Sequence, residues 1–484
     1  MRHAAPRAGL KAGPDREERS FVSVRSALLL SLAVHVVHVI ALPLVITYDG
    51  QVYHRLSTLF GGEGLSSEYD TIRTPLFPLL LRAVFWLLGE RPGSVLLLNA
   101  AFSFISICCV SAIVRRLAGR AAATLTILLL TFWPLSIAYQ HSLLSESATA
   151  CCLAVIALGL FRFLERPSLA ACVAVALALS LGYYFRPTLL YFAPCCSLLA
   201  LGLFWARHSR ARVSLRFALS TAALLTLVPV VLSLPWRALQ DRTGRFGYIY
   251  AFGIVNQALI DPDDEQELGR LAVPYRDCIA AASIDGRLDY AGLWDVDVTK
   301  FLNSLPEETI AEGSAWFRRL VRENPLRFAS GVTRSLLLFL GMPALESEND
   351  FLVSSVLSDK DEAFLLLHPR YLQDEEWKRL SKPPAPYALR AFGSALAALF
   401  SAHVVVLICN GVALALLILA IAQRDLLTGA VPALVFYSYA LHSVTLLSID
   451  RYAFPAYFLL HVAVVLLAAR LYGHLRPLRR AVSP

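Results

Sequence analysis

What this chain lacks most is charge. Aspartate, glutamate, lysine and arginine make up 17% of its 484 residues, while 57% are hydrophobic. A soluble domain carries roughly 25% charged residues and exposes few large apolar patches, so a water-soluble enzyme is excluded. The same shortage excludes a disordered or fibrous chain, and it argues against a nucleic-acid partner despite the formal charge of +8. Cysteine is scarce in polar sequence. Eight of nine cysteines (Cys108, Cys109, Cys151, Cys152, Cys172, Cys195, Cys196 and Cys409) lie in apolar runs, and only Cys278 does not, so no disulfide scaffold is expected. A P-loop and a dinucleotide-binding glycine pattern are both missing, and with them any site for an activated nucleotide. Lysine is rare beside arginine, while alanine and leucine dominate, which fits a GC-rich bacterial gene.

Long apolar runs are what the chain does have. A spanning helix needs about 20 apolar residues, and ten stretches qualify, near 26–46, 93–114, 121–140, 143–163, 168–185, 187–206, 216–236, 399–421, 428–447 and 452–471. The first is too long for a cleavable signal and has no small-residue cleavage site before Tyr48, so it reads as an anchor. With the N-terminus placed inside, every cytoplasmic segment is basic: Arg2 to Arg25, Arg115, Arg116 and Arg120, Arg162 and Arg166, Arg207 to Arg216, Arg424, and Arg470 to Arg480. This is the positive-inside pattern, and it puts both termini in the cytoplasm of a bacterial inner membrane. The organisation read from it is a tail at 1–25, an N-terminal membrane module at 26–236 with a first outer loop at 47–92, and an extracytoplasmic domain at 237–395. C-terminal spans at 396–471 and a tail at 472–484 follow. The outer domain holds 24 acidic and 18 basic residues, a net of −6, against +14 for the rest of the chain. Within it, Leu326–Gly341 would reach only about 24 Å as a helix and carries Arg327 and Arg334, so it reads as an interfacial helix. The acidic run Asp261–Glu265 lacks the ligand spacing and glycine of an EF-hand loop and reads as a solvated turn.

Outside that domain only Arg55, Arg73, Arg82, Arg91, Arg186 and Arg451 are basic on the outer side, against the orientation rule. Each has two readings: a side chain snorkelling to the headgroups, or a cation that pairs with a lipid phosphate. Val52, Leu56, Leu59 and Phe60 recur at helical spacing after the first span and predict an amphipathic interfacial helix. Asp49 stands at its entrance, either as the helix cap or as a functional carboxylate. Asp70 and Arg73 form either a local ion pair of little worth or part of a site. Glu146 opens the fourth span, where the helix dipole favours it, yet a carboxylate so near the apolar slab is costly unless paired, which points to function.

These features, in this order and on one side, resemble the GT-C class of integral membrane glycosyltransferases, in particular bacterial members similar to aminoarabinose transferases and protein O-mannosyltransferases. The resemblance rests on Asp49 directly after the first span, the helix behind it, and Arg73-Thr74-Pro75-Leu76-Phe77-Pro78. Ser145-Glu146, Arg186-Pro187-Thr188, and Arg451-Tyr452 with Pro455 complete it. It implies an all-α, GT-C-like polytopic membrane protein of about ten transmembrane helices with a mixed or helical outer domain. It also implies a polyprenyl-phosphate sugar donor, a glycan, lipid or protein acceptor, and an extracytoplasmic site in which Asp49 is the general base of an inverting transfer. Arg186, Arg451 and Arg73 would then hold the donor phosphate, Glu146 and Asp70 would orient acceptor or cations, and Tyr53, Tyr69 and His141 would line the pocket. Whether a divalent metal takes part is left open. Many relatives carry a paired acidic dipeptide in the first loop, and here Asp49 is followed by Gly50.

Three rival readings remain. A secondary transporter or lipid flippase would place carboxylates mid-span, whereas the polar residues there are His35, His38, Asn99, His403, Asn410, His442 and His461, types that more often bridge helices. An O-antigen-type polymerase would use the same donor chemistry. A membrane acyltransferase would want a histidine such as His403 or His442 in its cavity, with no motif to support it.

Overall fold

The computed structural model describes residues 23–60, 73–208, 214–243, parts of 250–301, 304–340, Val356, 403–423, 425–444 and 454–482. The protein is an all-α bundle. In chain order the helices are α1 (Val24–Ala41), α2 (Tyr48–Leu59), α3 (Leu76–Leu88), α4 (Pro92–Thr131), α5 (Pro134–Gln140), α6 (Glu146–Glu165) and α7 (Leu169–Phe185). A 3₁₀ turn at Pro187–Tyr191 leads into α8 (Phe192–His208) and α9 (Leu215–Thr243). The segment after α9 contributes α10 (Glu265–Leu268), α11 (Ala272–Ala281), α12 (Glu307–Ala311), α13 (Gly313–Glu323) and α14 (Pro325–Phe339). The chain closes with α15 (His403–Ala422), α16 (Leu426–Val444) and α17 (Phe454–Val482). Among the described residues the only strands are the two-residue antiparallel pair β1 (Ser283–Ile284) and β2 (Arg287–Leu288).

Seven of these helices are long and apolar enough to cross a membrane: α1, α4, α6, α9, α15, α16 and α17. The stretches read at 168–185 and 187–206 form shorter apolar helices. Two spans read from sequence, at 93–114 and 121–140, fall on α4 and α5. Gly119, at φ 89°, breaks α4 between them in a backbone region that only glycine enters freely. Helix α1 shows how the bundle meets lipid. Its small and polar residues Ala27, Ser31, His35 and His38 are buried, Leu29, Leu32, Val36 and Ile40 are exposed, and Thr131 on α4 donates a hydrogen bond to Ser31 at 2.7 Å.

Three mid-span histidines, His35, His442 and His461, each place Nδ1 against the carbonyl one turn back on their own helix, while their rings meet side chains of other segments, Phe104, Phe339 and Trp133 respectively. The asparagines bridge: Asn99 donates to the Ser142 carbonyl at 2.7 Å, and Asn410 to the carbonyls of Phe339 and Leu340. Those last bonds, with Phe339 stacked on Tyr439, bed the end of α14 between α15 and α16. The amphipathic α2 also departs from a purely interfacial role. Leu56 is buried, and Val52, Leu59 and Phe60 pack with it against Tyr183, Leu190 and Trp236, so its apolar face covers α7 and α9. A separate core gathers around Ile254, Leu268, Tyr275, Phe301 and Leu320 in the segment after α9. There Asp261 accepts from its neighbour Asp263 and pairs with Arg327 at 2.7 Å, the solvated turn read from sequence. The eight described cysteines form no disulfide, and Cys278 lies outside the described side chains.

Candidate functional site

The site is built where the chain leaves α1 and where it enters α6. Residues 43–45 run beside 141–143: the Val45 amide donates to the His141 carbonyl at 2.7 Å and the Leu143 amide to the Val45 carbonyl at 3.0 Å, a parallel bridge between Val45 and Ser142. Asp49 follows one arm of this bridge and Glu146 the other. The cap of α2 is Thr47, whose hydroxyl accepts from the Gly50 amide at 3.2 Å. Asp49 is therefore not needed as a cap. Its side chain, 7% exposed, pairs with Arg73, 27% exposed, at the foot of α3.

Glu146 heads α6 and accepts a 2.9 Å hydrogen bond from Arg186, which sits between α7 and the 3₁₀ turn. Tyr53, one turn after Asp49, joins the two pairs. Its hydroxyl shares a 3.0 Å hydrogen bond with Ser145, and the Arg73 guanidinium lies over its ring, 5.5 Å from the centroid. Burial raises the Tyr53 pKa above its ordinary value; Arg73 opposes that, and Glu146 and Asp49 reinforce it. All four charged groups thus act on one phenol. His442 of α16 lies within electrostatic reach of Arg186 from the other side.

Of the residues expected from sequence, Asp49, Tyr53, Arg73, Glu146 and Arg186 come together in this cluster. His141 is beside it but fully buried, with Nδ1 3.0 Å from the Pro43 carbonyl, so it faces backbone. Tyr69, Asp70 and Arg451 lie outside the described residues. Arg55 and Arg91 are exposed, away from any such pairing. Sequence reading assigned no role to Ser145, Thr47 or Gly50. Thr47, as a cap residue ahead of a helical pattern, carried a readable signal; the partner of Ser145, 92 positions away, carried none.

Gly50 explains the departure from a paired acidic dipeptide. A Cβ on this residue would stand 2.7 Å from the Leu143 carbonyl oxygen and 3.1 Å from the Leu143 Cβ, so α2 can approach the 141–145 turn only without a side chain here. A second carboxylate at position 50 has no room. Asp49 and Glu146 each face a guanidinium, and among the described residues no three His, Cys, Asp or Glu side chains gather as metal ligands. The described donor set does not fit a divalent cation.

Residues 72–236 match the family model of dolichyl-phosphate-mannose-protein mannosyltransferases. The match covers about a third of the chain, takes in Arg73, Ser145, Glu146 and Arg186, and begins after Asp49. No curated protein matches the sequence. Among solved structures the chain is similar to ArnT from Cupriavidus metallidurans bound to undecaprenyl phosphate (17% identity, 91% of this chain and 77% of that chain covered, TM-score 0.40). It is also similar to the apo oligosaccharyltransferase of Archaeoglobus fulgidus (11% identity, 95% of this chain and 52% of that chain, TM-score 0.46). The chain spans about half the length of that archaeal protein.

Proposed function

We propose that this protein is an inverting membrane glycosyltransferase that moves a sugar from a polyprenyl-phosphate donor to an acceptor hydroxyl on the extracytoplasmic face of a bacterial inner membrane. The donor class follows the family matched by residues 72–236, whose own donor is a dolichyl phosphate sugar. The observation that carries the reading is the pair of buried carboxylate–arginine contacts gathered on Tyr53 and Ser145.

In the reaction, Asp49 takes the proton of the acceptor hydroxyl as that oxygen bonds to the anomeric carbon. The bond from that carbon to the phosphate oxygen breaks on the opposite face, and its electron pair leaves with the polyprenyl phosphate. Charge builds on the leaving phosphate, where Arg186 and Arg73 supply fixed cations in a site shielded from water. Arg451 stands as a third candidate cation on sequence grounds. Glu146 keeps Arg186 aimed, and Tyr53 holds α2 to the head of α6. Asp70 and Tyr69 retain the roles the family resemblance implies, orienting and lining. The acceptor is a glycan, lipid or protein hydroxyl.

General-base catalysis typically contributes 10²–10⁴-fold. Asp49→Asn should therefore cut transfer from an undecaprenyl-phosphate sugar by about that factor, with undecaprenyl phosphate affinity kept. Transfer at the wild-type rate would remove Asp49 as the base.

A further inference from the structure

The hydrogen bond from His141 to Pro43 is unused by the mechanism above, yet it lies on the backbone bridge that spaces the two halves of the site. Three contacts tie residues 43–45 to 141–143: the two amide bonds of the Val45–Ser142 bridge and the imidazole bond from His141 to the Pro43 carbonyl at 3.0 Å. A carbonyl can only accept, so Nδ1 carries the hydrogen. His141 is fully buried, and its ring meets His38 edge-on at 6.4 Å. Burial above all, then His38, pushes its pKa down to about 3, which keeps the ring neutral at any working pH. The bridge continues into Asp49 four residues past Val45 and into Glu146 three past Leu143. Gly50 packs against the Leu143 carbonyl, so a shift of the 141–143 turn is felt directly at the start of α2.

We infer that His141 is a positioning residue, whose Nδ1–H bond to Pro43 sets the placement of Asp49 relative to Glu146 and Arg186, and that it does not contact the sugar. This rests on the reading of Asp49 as the base. A displacement of about 1 Å at a reacting group costs on the order of 10²-fold in rate, so loss of this bond acts on kcat and leaves donor binding alone. Asparagine carries its amide nitrogen at the same reach as Nδ1, whereas glutamine places it one carbon farther.

The test uses the full chain in lipid nanodiscs as wild type, His141→Asn, His141→Ala and His141→Gln. It measures transfer from an undecaprenyl-phosphate sugar, binding of undecaprenyl phosphate, and amide hydrogen exchange over 43–50 and 141–147. The expected result is a kcat loss of about 10–100-fold in the Ala and Gln variants, with donor KM and undecaprenyl phosphate affinity unchanged and exchange accelerated over both segments. His141→Asn should restore rate and protection. Wild-type kcat in the Ala and Gln variants overturns the inference, as does an Asn variant no better than Ala, or a loss confined to KM and affinity, which would make His141 a pocket residue. If wild type and Asp49→Asn transfer at the same rate, the proposed base has failed instead, and the exchange arm still decides whether His141 holds the bridge. Should the Ala variant fold poorly, the Gln variant keeps a buried polar side chain and carries the comparison.

Discussion

Helix α6 carries a glutamate at each end, and each is paired with an arginine from another part of the bundle. At the N-terminal end Glu146 is 2% exposed and Arg186 12%; at the C-terminal end Glu165 is 25% exposed and Arg116 47%. The 20 residues of α6 run from a pair that the protein shields to one that it leaves wet. The exposed pair belongs to the ordinary traffic of surface charge, where Coulomb gain, side-chain entropy and screening nearly cancel. The buried pair is different, because desolvating two charges costs several kcal/mol per ion and hydrophobic residues of the same volume would pack there at no such cost. Stability alone does not account for it. Asp49–Arg73 repeats the arrangement beside the same tyrosine, which supports the proposal that both pairs serve one site.

The contrast breaks first at Glu146. Glu146→Ala removes a buried carboxylate partner of Arg186 and should destabilise the fold by about 3–5 kcal/mol, measured by thermal unfolding in nanodiscs, whereas Glu165→Ala should stay within about 1 kcal/mol of wild type. Equal effects at both ends would erase the distinction. Arg186→Ala should come next, weakening undecaprenyl phosphate binding by about 10–100-fold, the worth of one or two charge-assisted hydrogen bonds; Arg116→Ala should leave that affinity unchanged. Gly50→Ala should cost about 1–3 kcal/mol through overlap with the Leu143 carbonyl. Chelators should leave wild-type transfer intact, given that the described site has two guanidinium groups and no third carboxylate or imidazole ligand. The smallest effect concerns pH. His141, pushed down to about 3, and Tyr53, raised above its ordinary value, do not titrate between about pH 5 and pH 9. A rate profile across that window should therefore keep its shape in His141→Asn, and a displaced limb would show that the imidazole takes part in proton transfer.

Much of this was legible in the residues. The apolar runs announced the bundle because a helix in lipid must be about 20 apolar residues long, and the outer arginines stood out because orientation did not explain them. Asp49, Arg73, Glu146 and Arg186 were found that way. Their pairing was not, since Asp49 meets Arg73 across 24 residues and Glu146 meets Arg186 across 40, and no local pattern encodes such contacts. Asp49 also read equally well as a helix cap until Thr47 was seen in that place. His141 entered as a pocket residue through the family resemblance alone; its imidazole lies against a proline carbonyl 98 positions away, a contact that no local pattern encodes. The mid-span histidines add a bond that no sequence pattern announced, to a carbonyl one turn back on their own helix.

The account stands or falls on where a lipid phosphate binds, and the direct measurement is a structure of the full chain in nanodiscs with undecaprenyl phosphate. It should place the phosphate within hydrogen-bond distance of Arg186 and Arg73. A phosphate bound elsewhere, with both guanidinium groups still closed on Asp49 and Glu146, would contradict it.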